Sequence, residues 1–169
     1  MGSIVDNDNA AVGPYERGEI CIKGPNIMKG YWNRPEATAN AIDEMGWFHS
    51  GDVGYIDEEG YLYICDRLKD MVITGGENVY PAEVESVLFE HPAITEVAVI
   101  GLPDEKWGEA VTAVAAVTGG SDLTLEGLRD FAVAKLARYK LPSRLHIVEA
   151  LPRNPAGKVL KFELRETLA

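Results

Sequence analysis

The residues that could carry out catalysis match none of the common catalytic motifs. Lys158 follows Gly157, as in a phosphate-binding loop, but that motif also needs Gly at position 152 and Ser or Thr after the lysine. The sequence has Pro152 and Val159 at those positions. The dinucleotide-binding motif GxGxxG and the nucleophile motif GxSxG are absent as well. The sequence therefore does not indicate catalysis by any of these motifs.

The histidines and cysteines show no spacing typical of a metal site. His49, His91 and His146 lie far apart in the sequence, without paired spacing and without a nearby cysteine, so we expect no metal site. Cys21 and Cys65 each lie inside an apolar segment, and we expect buried thiols in a reducing compartment. No signal-peptide pattern is present, so the predicted localisation is cytoplasmic.

The charge distribution argues against a nucleic-acid partner. The 169 residues include 27 acidic and 16 basic ones, for a net charge of −11, whereas a nucleic-acid-binding face is normally basic throughout. Residues 129–169, in contrast, contain nine basic and four acidic residues. This excess indicates either a small phosphorylated ligand or a solvated helix face. The apolar runs are too short to cross a bilayer, so we predict no integral membrane contact.

The remaining candidates lie in six short segments that follow one another along the chain. Each segment is a weak signal alone, but their order and spacing together are specific. The segments are 18–22 (GEICI), 30–32 (GYW), 46–52 (GWFHSGD), 66–70 (DRLKD), 75–85 (GGENVYPAEVE) and 151–158 (LPRNPAGK).

In this order the segments resemble the later core motifs of the acyl-CoA synthetases, which are AMP-forming members of the adenylate-forming ligase superfamily. The resemblance covers about residues 16–169 and is strongest to fatty-acid or aryl-acid ligases. Ser50 stands where the family usually has Thr, and Asp66 where Gly often precedes the arginine. Ser keeps the hydroxyl group, and Asp before the arginine also occurs in the family.

The resemblance implies an enzyme that converts a carboxylic acid, ATP (with Mg²⁺) and CoA into acyl-CoA, AMP and pyrophosphate. The family's ATP-phosphate loop, adenine motif and acyl pocket are not in this sequence. We therefore expect a C-terminal fragment whose partner is the rest of the N-terminal domain. The fragment alone should neither turn over nor hold a cofactor tightly, and the acyl chain length cannot be read from it.

The resemblance also implies the role of the nucleotide-binding residues. A carboxylate at Asp52 accepts hydrogen bonds from the two vicinal hydroxyls of the ATP ribose, and Arg67 donates towards the same ribose. Ile64 belongs to the same nucleotide-binding set. The plainer interpretations are a turn aspartate and a surface ion pair.

Two further segments are implied to move between the half-reactions. Lys69 occupies the hinge position of the family, where one residue absorbs a large backbone rotation. Gly75, Gly76 and Glu77 form the loop that lines the pantetheine tunnel during the thioester step. A tight turn between a strand and a helix is the simpler interpretation of the two glycines.

Lys158 is the predicted catalytic residue. Adenylation develops negative charge on the α-phosphate and on the attacking carboxylate, and a fixed ammonium stabilises that transition state more than the ground state. Pro152, Pro155 and Gly157 shape a loop that could reach into a neighbouring site. An exposed loop lysine is the alternative.

The elements that position these residues fall into two groups, and the first is rich in strands. Residues 1–17 predict a loose start or a hairpin, and 19–23 predict a strand. A short helix is expected over 35–42, followed by a hairpin with arms at 53–56 and 61–65. These elements over about 65 residues have little to pack against unless another body covers them.

The second group mixes helices and strands, which predicts an α+β fold with a small antiparallel sheet and flanking helices. We expect the end of the N-terminal adenylation domain at 1–66, a hinge at 67–69 and a mobile C-terminal domain at 70–169. The expected elements are strands at 71–74, 94–102, 110–118 and 144–148, and helices from Pro81, over 124–137 and over 161–168.

Two other functions remain open from the sequence. An adenylation domain that loads a carrier protein is one, although Lys69 and the Gly-Gly-Glu-Asn turn favour CoA as the acceptor. The other is a non-catalytic interaction module, in which an unpaired apolar β-edge of the first segment forms a homodimer.

Overall fold

The structure is a computed structural model in which residues 2–119 and 121–169 are described. The chain forms two compact units, which divide between Lys69 and Asp70.

The first unit is a four-stranded antiparallel sheet in which sequential strands are neighbours. The sequence predicted a loose start or a hairpin over residues 1–17, and Val5 does form an antiparallel bridge with Ala11. The first residues also pair with β2, from Gly2 opposite Ile22 to Val5 opposite Glu19. The first strand is hard to predict because Gly2 and Ser3 carry no strand preference. The elements are β1 Gly2–Val5, β2 Gly18–Ile22, α1 Pro35–Ala41, β3 Phe48–Ile56 and β4 Leu62–Arg67.

The second unit is built on a long, deeply buried hairpin of β7 and β8, which pair from Ile94 opposite Val117 to Asp104 opposite Gly108. The other edge of β8 is shared by β5 near Gly108 and by β9 from Thr112 onward. The strands are β5 Val72–Thr74, β6 Glu77–Val79, β7 Ile94–Asp104, β8 Gly108–Val117 and β9 Arg144–Val148.

Both the fold class and the mixture of elements agree with the sequence prediction of an α+β fold. The sheet is not purely antiparallel, however, because β9 runs parallel to β8. This orientation follows from the connection, since the chain between β8 and β9 crosses back over one face of the sheet by way of α3.

The sheet of the second unit is covered on both faces by helices. On one face Val99, Val111 and Ala113 pack with the buried sides of α2 and α3. On the other face Ile100, Leu102 and Val114 pack against Leu164 of α4. Because successive strand residues point to opposite faces, the unbroken apolar runs of β7 and β8 supply both cores.

The helices of the second unit are α2 Pro81–Phe89, α3 Leu125–Ala132 and α4 Lys161–Leu168. The predicted start of α2 at Pro81 and the span of α4 are confirmed, but α3 ends five residues before its predicted end. Leu136 continues the apolar spacing of α3 and reaches the same core from a turn, so the pattern could not show where the helix stops. None of the described helices is long and apolar enough to span a bilayer.

Replacing Leu88 by Ala should lower the free energy of unfolding by about 2–5 kcal/mol, because it leaves a cavity where a fully buried side chain packed. The matched control is Phe89→Ala, since the neighbouring side chain is 60% exposed and its removal should cost about 0.5 kcal/mol or less. Urea unfolding followed by circular dichroism measures both. Equal losses in the two variants would contradict the assigned core.

Candidate functional site

The two polar residues predicted to hold a nucleotide contact each other in the first unit. Asp52 on β3 is the direct cross-strand partner of Arg67 on β4. The Arg67 Nε lies 2.7 Å from the Asp52 Oδ1, and the side chains are 50% and 27% exposed, respectively. A partly exposed carboxylate that contacts a guanidinium through one oxygen can still accept hydrogen bonds from a ligand. The third predicted residue, Ile64, is 69% exposed and pairs with Gly54 instead.

The backbone before Asp52 is shaped by an irregularity in β3. The register of β2 and β3 shifts between Glu19 and Cys21, and Gly51 within that stretch has a φ of +70°, which favours glycine. The Gly51 N–H donates to the Glu19 Oε1 at 2.9 Å, and the Asp52 N–H donates to the Ser50 Oγ at 3.1 Å. The hydroxyl that Ser50 shares with Thr therefore has a structural use.

Lys69 lies in a single 3₁₀ turn, Leu68–Asp70, directly after β4. Its side chain is exposed, and the boundary between the two compact units follows it. Asp70 is held within the second unit, where its Oδ1 lies 3.0 Å from the Arg165 Nη2 of α4. The structure therefore gives the predicted hinge residue a short, exposed turn, and its role in motion stays a prediction.

The predicted thioester loop is the turn of a small hairpin between β5 and β6, rather than a turn between a strand and a helix. Gly75 and Gly76 have φ values of +60° and +85°. The Gly75 N–H donates to the Trp107 carbonyl at 2.8 Å, and a Cβ on Gly75 would come within 2.9 Å of the Trp107 ring. A Cβ on Gly76 would meet nothing within 4 Å, so that position faces open space.

A cavity of about 370 Å³ lies beside this turn, which is within the size range of small-molecule sites. Its lining includes the guanidinium-bearing Arg129 and Arg138 and the aromatic rings of Trp107 and Tyr139. Glu77 from the predicted loop also lines it. Arginines and aromatic rings together suit a ligand that carries both phosphate and a flat base.

Lys158 lies on a tight loop of the second unit, and its side chain is exposed. The Asn154 Oδ1 accepts hydrogen bonds from the backbone N–H groups of Ala156 at 3.0 Å and Lys158 at 2.9 Å. Gly157 takes the positive φ of +82° that closes the turn. Within the described residues, no hydrogen bond or ion pair is recorded for the Lys158 ammonium.

The base of this loop is fixed to the sheet by one carboxylate. The Glu96 side chain on β7 accepts from the Leu151 N–H at 3.0 Å and from the Arg153 Nη2 at 2.6 Å. Arg153 also donates through Nη1 to the Gly157 carbonyl at 2.7 Å. The Leu151 N–H and then Arg153 lower the pKa of Glu96 below its ordinary value. The backbone next to Lys158 is therefore tied to the buried β7–β8 hairpin.

The fold also assembles a cluster that the sequence did not predict. The expectation of no metal site assumed that no cysteine lies near His49, but Cys21 on β2 is its direct cross-strand partner. A prediction that β2 pairs with β3 could have found this cluster, because the pairing places Cys21 opposite His49. Burial, followed by the negative charges of Glu19 and Asp43, raises the pKa of Cys21 to about 11, so the thiol is protonated at neutral pH. Cys65 is only half-buried, contrary to the expectation that both thiols are buried.

Comparison with known proteins gives a consistent picture. Residues 83–158 match the family model described as "AMP-binding enzyme C-terminal domain". The chain is 54% identical over 162 residues to the long-chain-fatty-acid–CoA ligase FadD13 of Mycobacterium tuberculosis, covering 96% of this chain and 32% of that protein. It is 48% identical over 164 residues to a 2-succinylbenzoate–CoA ligase of a Geobacillus strain, covering 97% and 33%.

The fold has counterparts among solved structures. The ATP-bound MatB of Rhodopseudomonas palustris matches with a TM-score of 0.90 at 42% identity, covering 99% of this chain and 33% of that one. The chain thus spans about a third of the length of the curated relatives it matches.

Replacing Glu96 by Gln should destabilise the protein at neutral pH but not in acid. Because the folded-state pKa lies below the ordinary value of 4.5, the carboxylate's stabilisation is complete above pH 4.5 and is lost as the pH falls through the folded-state pKa. Denaturant unfolding at several pH values measures the difference between variant and wild type. Glu149→Gln, at an exposed carboxylate, is the matched control. A difference that stays constant as the pH falls through this range would contradict the assigned anchor.

Proposed function

We propose that this chain, whose residues 83–158 belong to the AMP-binding enzyme C-terminal domain family, works as the carboxyl-terminal part of an AMP-forming acid–CoA ligase. The observation that carries the proposal is the exposed Lys158, which lies on an anchored loop at the end of the matched segment. The enzyme activates a carboxylic acid with ATP, supplied with Mg²⁺, and then transfers the acyl group to CoA.

In the first half-reaction Lys158 brings its ammonium to the reacting groups. The acid's carboxylate attacks the α-phosphorus, the bond to the leaving pyrophosphate breaks, and negative charge grows on the oxygens around phosphorus. A positioned ammonium stabilises that charge most in the transition state. The hydrogen bonds of Asn154 and Glu96 support this role, because they hold the backbone around Lys158 without using its charge.

Asp52 and Arg67 hold the ribose of the nucleotide in this proposal. Asp52 accepts hydrogen bonds from the two ribose hydroxyls, and Arg67, which contacts that carboxylate, donates to the same sugar. The 2.7 Å contact between them supports the assignment, since it fixes both groups before the nucleotide arrives. Ile64 contributes an apolar surface to the same nucleotide site.

The second half-reaction uses the glycine turn. In this step the second unit rotates at Lys69. The rotation moves Lys158 away from the reacting groups and brings the loop of Gly75, Gly76 and Glu77 to them. The thiol of CoA then attacks the acyl-adenylate carbonyl and displaces AMP. The adjoining cavity, with its two arginines and two aromatic rings, fits the phosphates and adenine of CoA.

The chain by itself should form no acyl-adenylate, since it spans only about a third of its relatives' length. Incubation with ATP and a panel of fatty and aryl acids, with AMP release as the readout, tests this expectation. AMP formation by the chain alone would overturn the proposal that it needs the rest of the enzyme to form acyl-adenylate. In the whole enzyme, the same panel identifies the acid, and parallel assays with CoA and a carrier-protein thiol identify the acceptor.

Replacing Lys158 by Ala in the whole enzyme should slow acyl-adenylate formation by roughly 10²–10³-fold, because the transition state loses its positioned charge. Thioester formation from supplied acyl-adenylate should be unchanged. The two half-reactions are measured separately, by pyrophosphate release and by acyl-CoA formation. Lys29→Ala, at an exposed lysine of the first unit, is the control. Equal loss of both half-reactions would refute the role.

Replacing Gly76 by Leu should produce the opposite pattern, with acyl-adenylate formation retained and thioester formation reduced on the order of 10²-fold. The side chain would project into open space within its own unit and obstruct an approaching ligand. Gly60→Leu is matched for backbone strain, since Gly60 also has a positive φ of +87° and open space around it. Unchanged thioester formation in Gly76→Leu would count against a tunnel at this turn.

A further inference from the structure

Three side chains on β2 and β3 bring a carboxylate, a thiol and an imidazole together. The His49 Nδ1 lies 2.8 Å from the Glu19 Oε2 and 3.4 Å from the Cys21 Sγ. All three potential ligand atoms lie within 4.8 Å of one another. They converge because Cys21 is the cross-strand partner of His49, while Glu19 lies two residues away on the same strand and so on the same face.

The arrangement does not suit a catalytic nucleophile. A catalytic triad places its base between nucleophile and carboxylate and uses the two ring nitrogens of histidine separately. Here the thiol and the Glu19 carboxylate both approach the same nitrogen, Nδ1. A cation could instead replace the proton between these groups, because the three potential ligand atoms lie within 4.8 Å of one another.

The spacing is close to that of a tetrahedral zinc site. With Zn–S near 2.3 Å and Zn–N and Zn–O near 2.0–2.2 Å, ligand atoms lie about 3.4–3.6 Å apart. The distance of 3.4 Å between Sγ and Nδ1 already fits, and the 2.8 Å between Nδ1 and Oε2 must widen by about half an ångström. The Cys21 Sγ and the Glu19 carboxylate, which offer ligand atoms within 4.8 Å of each other, must also come to about 3.6 Å when the ion binds.

We propose that Glu19, Cys21 and His49 form a zinc-binding site, with the fourth position open to a water molecule. A thiolate, an imidazole and one carboxylate select zinc over the hard cations Mg²⁺ and Ca²⁺. One thiolate and one carboxylate neutralise the two positive charges of the ion, so binding leaves no net charge in the half-buried site. On binding, the Cys21 thiol releases its proton to solvent, and His49 binds through Nδ1 as the tautomer that is protonated on Nε2.

The surrounding groups are placed as a metal site needs them. The Glu19 Oε1 accepts from the Gly51 N–H at 2.9 Å, and Oε2, which faces the His49 Nδ1 at 2.8 Å, is the oxygen placed to bind a metal that replaces the hydrogen bond between them. The Asp43 Oδ2 lies 3.9 Å from the His49 Nε2, where a carboxylate can orient the imidazole. A cavity lined in part by Cys21, His49 and Asp43 gives the ion a route to the otherwise buried thiol.

A metal bound at this site would also affect the backbone beside the candidate nucleotide site. Glu19 holds Gly51, which directly precedes Asp52, so a metal on Glu19 restrains the same stretch of β3. The proposal concerns metal binding alone and does not depend on the ligase activity.

The test titrates the chain with Zn²⁺ by calorimetry and with Co²⁺ by absorption spectroscopy. The wild type should bind one equivalent of each, show a thiolate-to-cobalt charge-transfer band and melt at a higher temperature with Zn²⁺. Cys21→Ser should lose the band, and His49→Gln should weaken binding by more than about 100-fold, since even loss of an outer partner costs 10–100-fold. Asp43→Asn should weaken it by about 10–100-fold.

The matched control is Cys65→Ser, which removes the chain's other thiol and should bind as the wild type does. Mg²⁺ at the same concentration should not change the melting temperature. The proposal is overturned if the wild type binds no Zn²⁺, if the cobalt complex lacks a thiolate band, or if Cys65→Ser rather than Cys21→Ser abolishes that band. If Cys21→Ser does not fold, the proposal is still tested by the thiolate-to-cobalt band of the wild type and by the Zn²⁺ affinity of His49→Gln.

Discussion

The register of β3 with its two neighbours is the constraint on which the polar groups of the first unit depend. Pairing with β4 brings Arg67 opposite Asp52, and pairing with β2 brings Cys21 opposite His49. A slip by one residue would send these side chains to opposite faces and separate both pairs. The irregularity at Gly51 lies between His49 and Asp52, so it affects the position of both pairs. There the Glu19 side chain accepts a hydrogen bond from the backbone N–H next to Asp52.

In the second unit, apolar burial fixes the sheet, and polar contacts fix the lysine loop to that sheet. The β7–β8 hairpin has apolar side chains on both faces and helices over both, and such close packing makes it rigid. Glu96 extends this rigidity to the surface by binding Leu151 and Arg153 at the base of the lysine loop. The charge of Lys158 stays available to a ligand because other groups hold its backbone. The catalytic role proposed for Lys158 requires such an exposed charge on a fixed backbone.

Much of this could be predicted, and the failures have physical causes. Alternating or continuous apolar runs located β4, β7, β8 and the end of β3, although β3 begins at Phe48 rather than at 53, and Pro81 marked the start of α2. The end of α3 was missed because Leu136 keeps helical spacing while packing from a turn. The hairpin over residues 1–17 was one of the two predicted alternatives, but the pairing of β1 with β2 was not predicted, because Gly2 and Ser3 carry no strand preference.

The sequence by itself determined the order of the motifs and the α+β class, since these depend on residue type and local spacing. The candidate residues Asp52, Arg67, Lys69, Gly75 and Lys158 came from the family resemblance that those motifs carry. Only the tertiary structure decided which of them touch. The contact of Asp52 with Arg67, the anchoring of the lysine loop by Glu96 and the meeting of Cys21 with His49 all join residues that are distant in the chain. Strand register and packing determine such contacts, and neither can be read from one segment at a time.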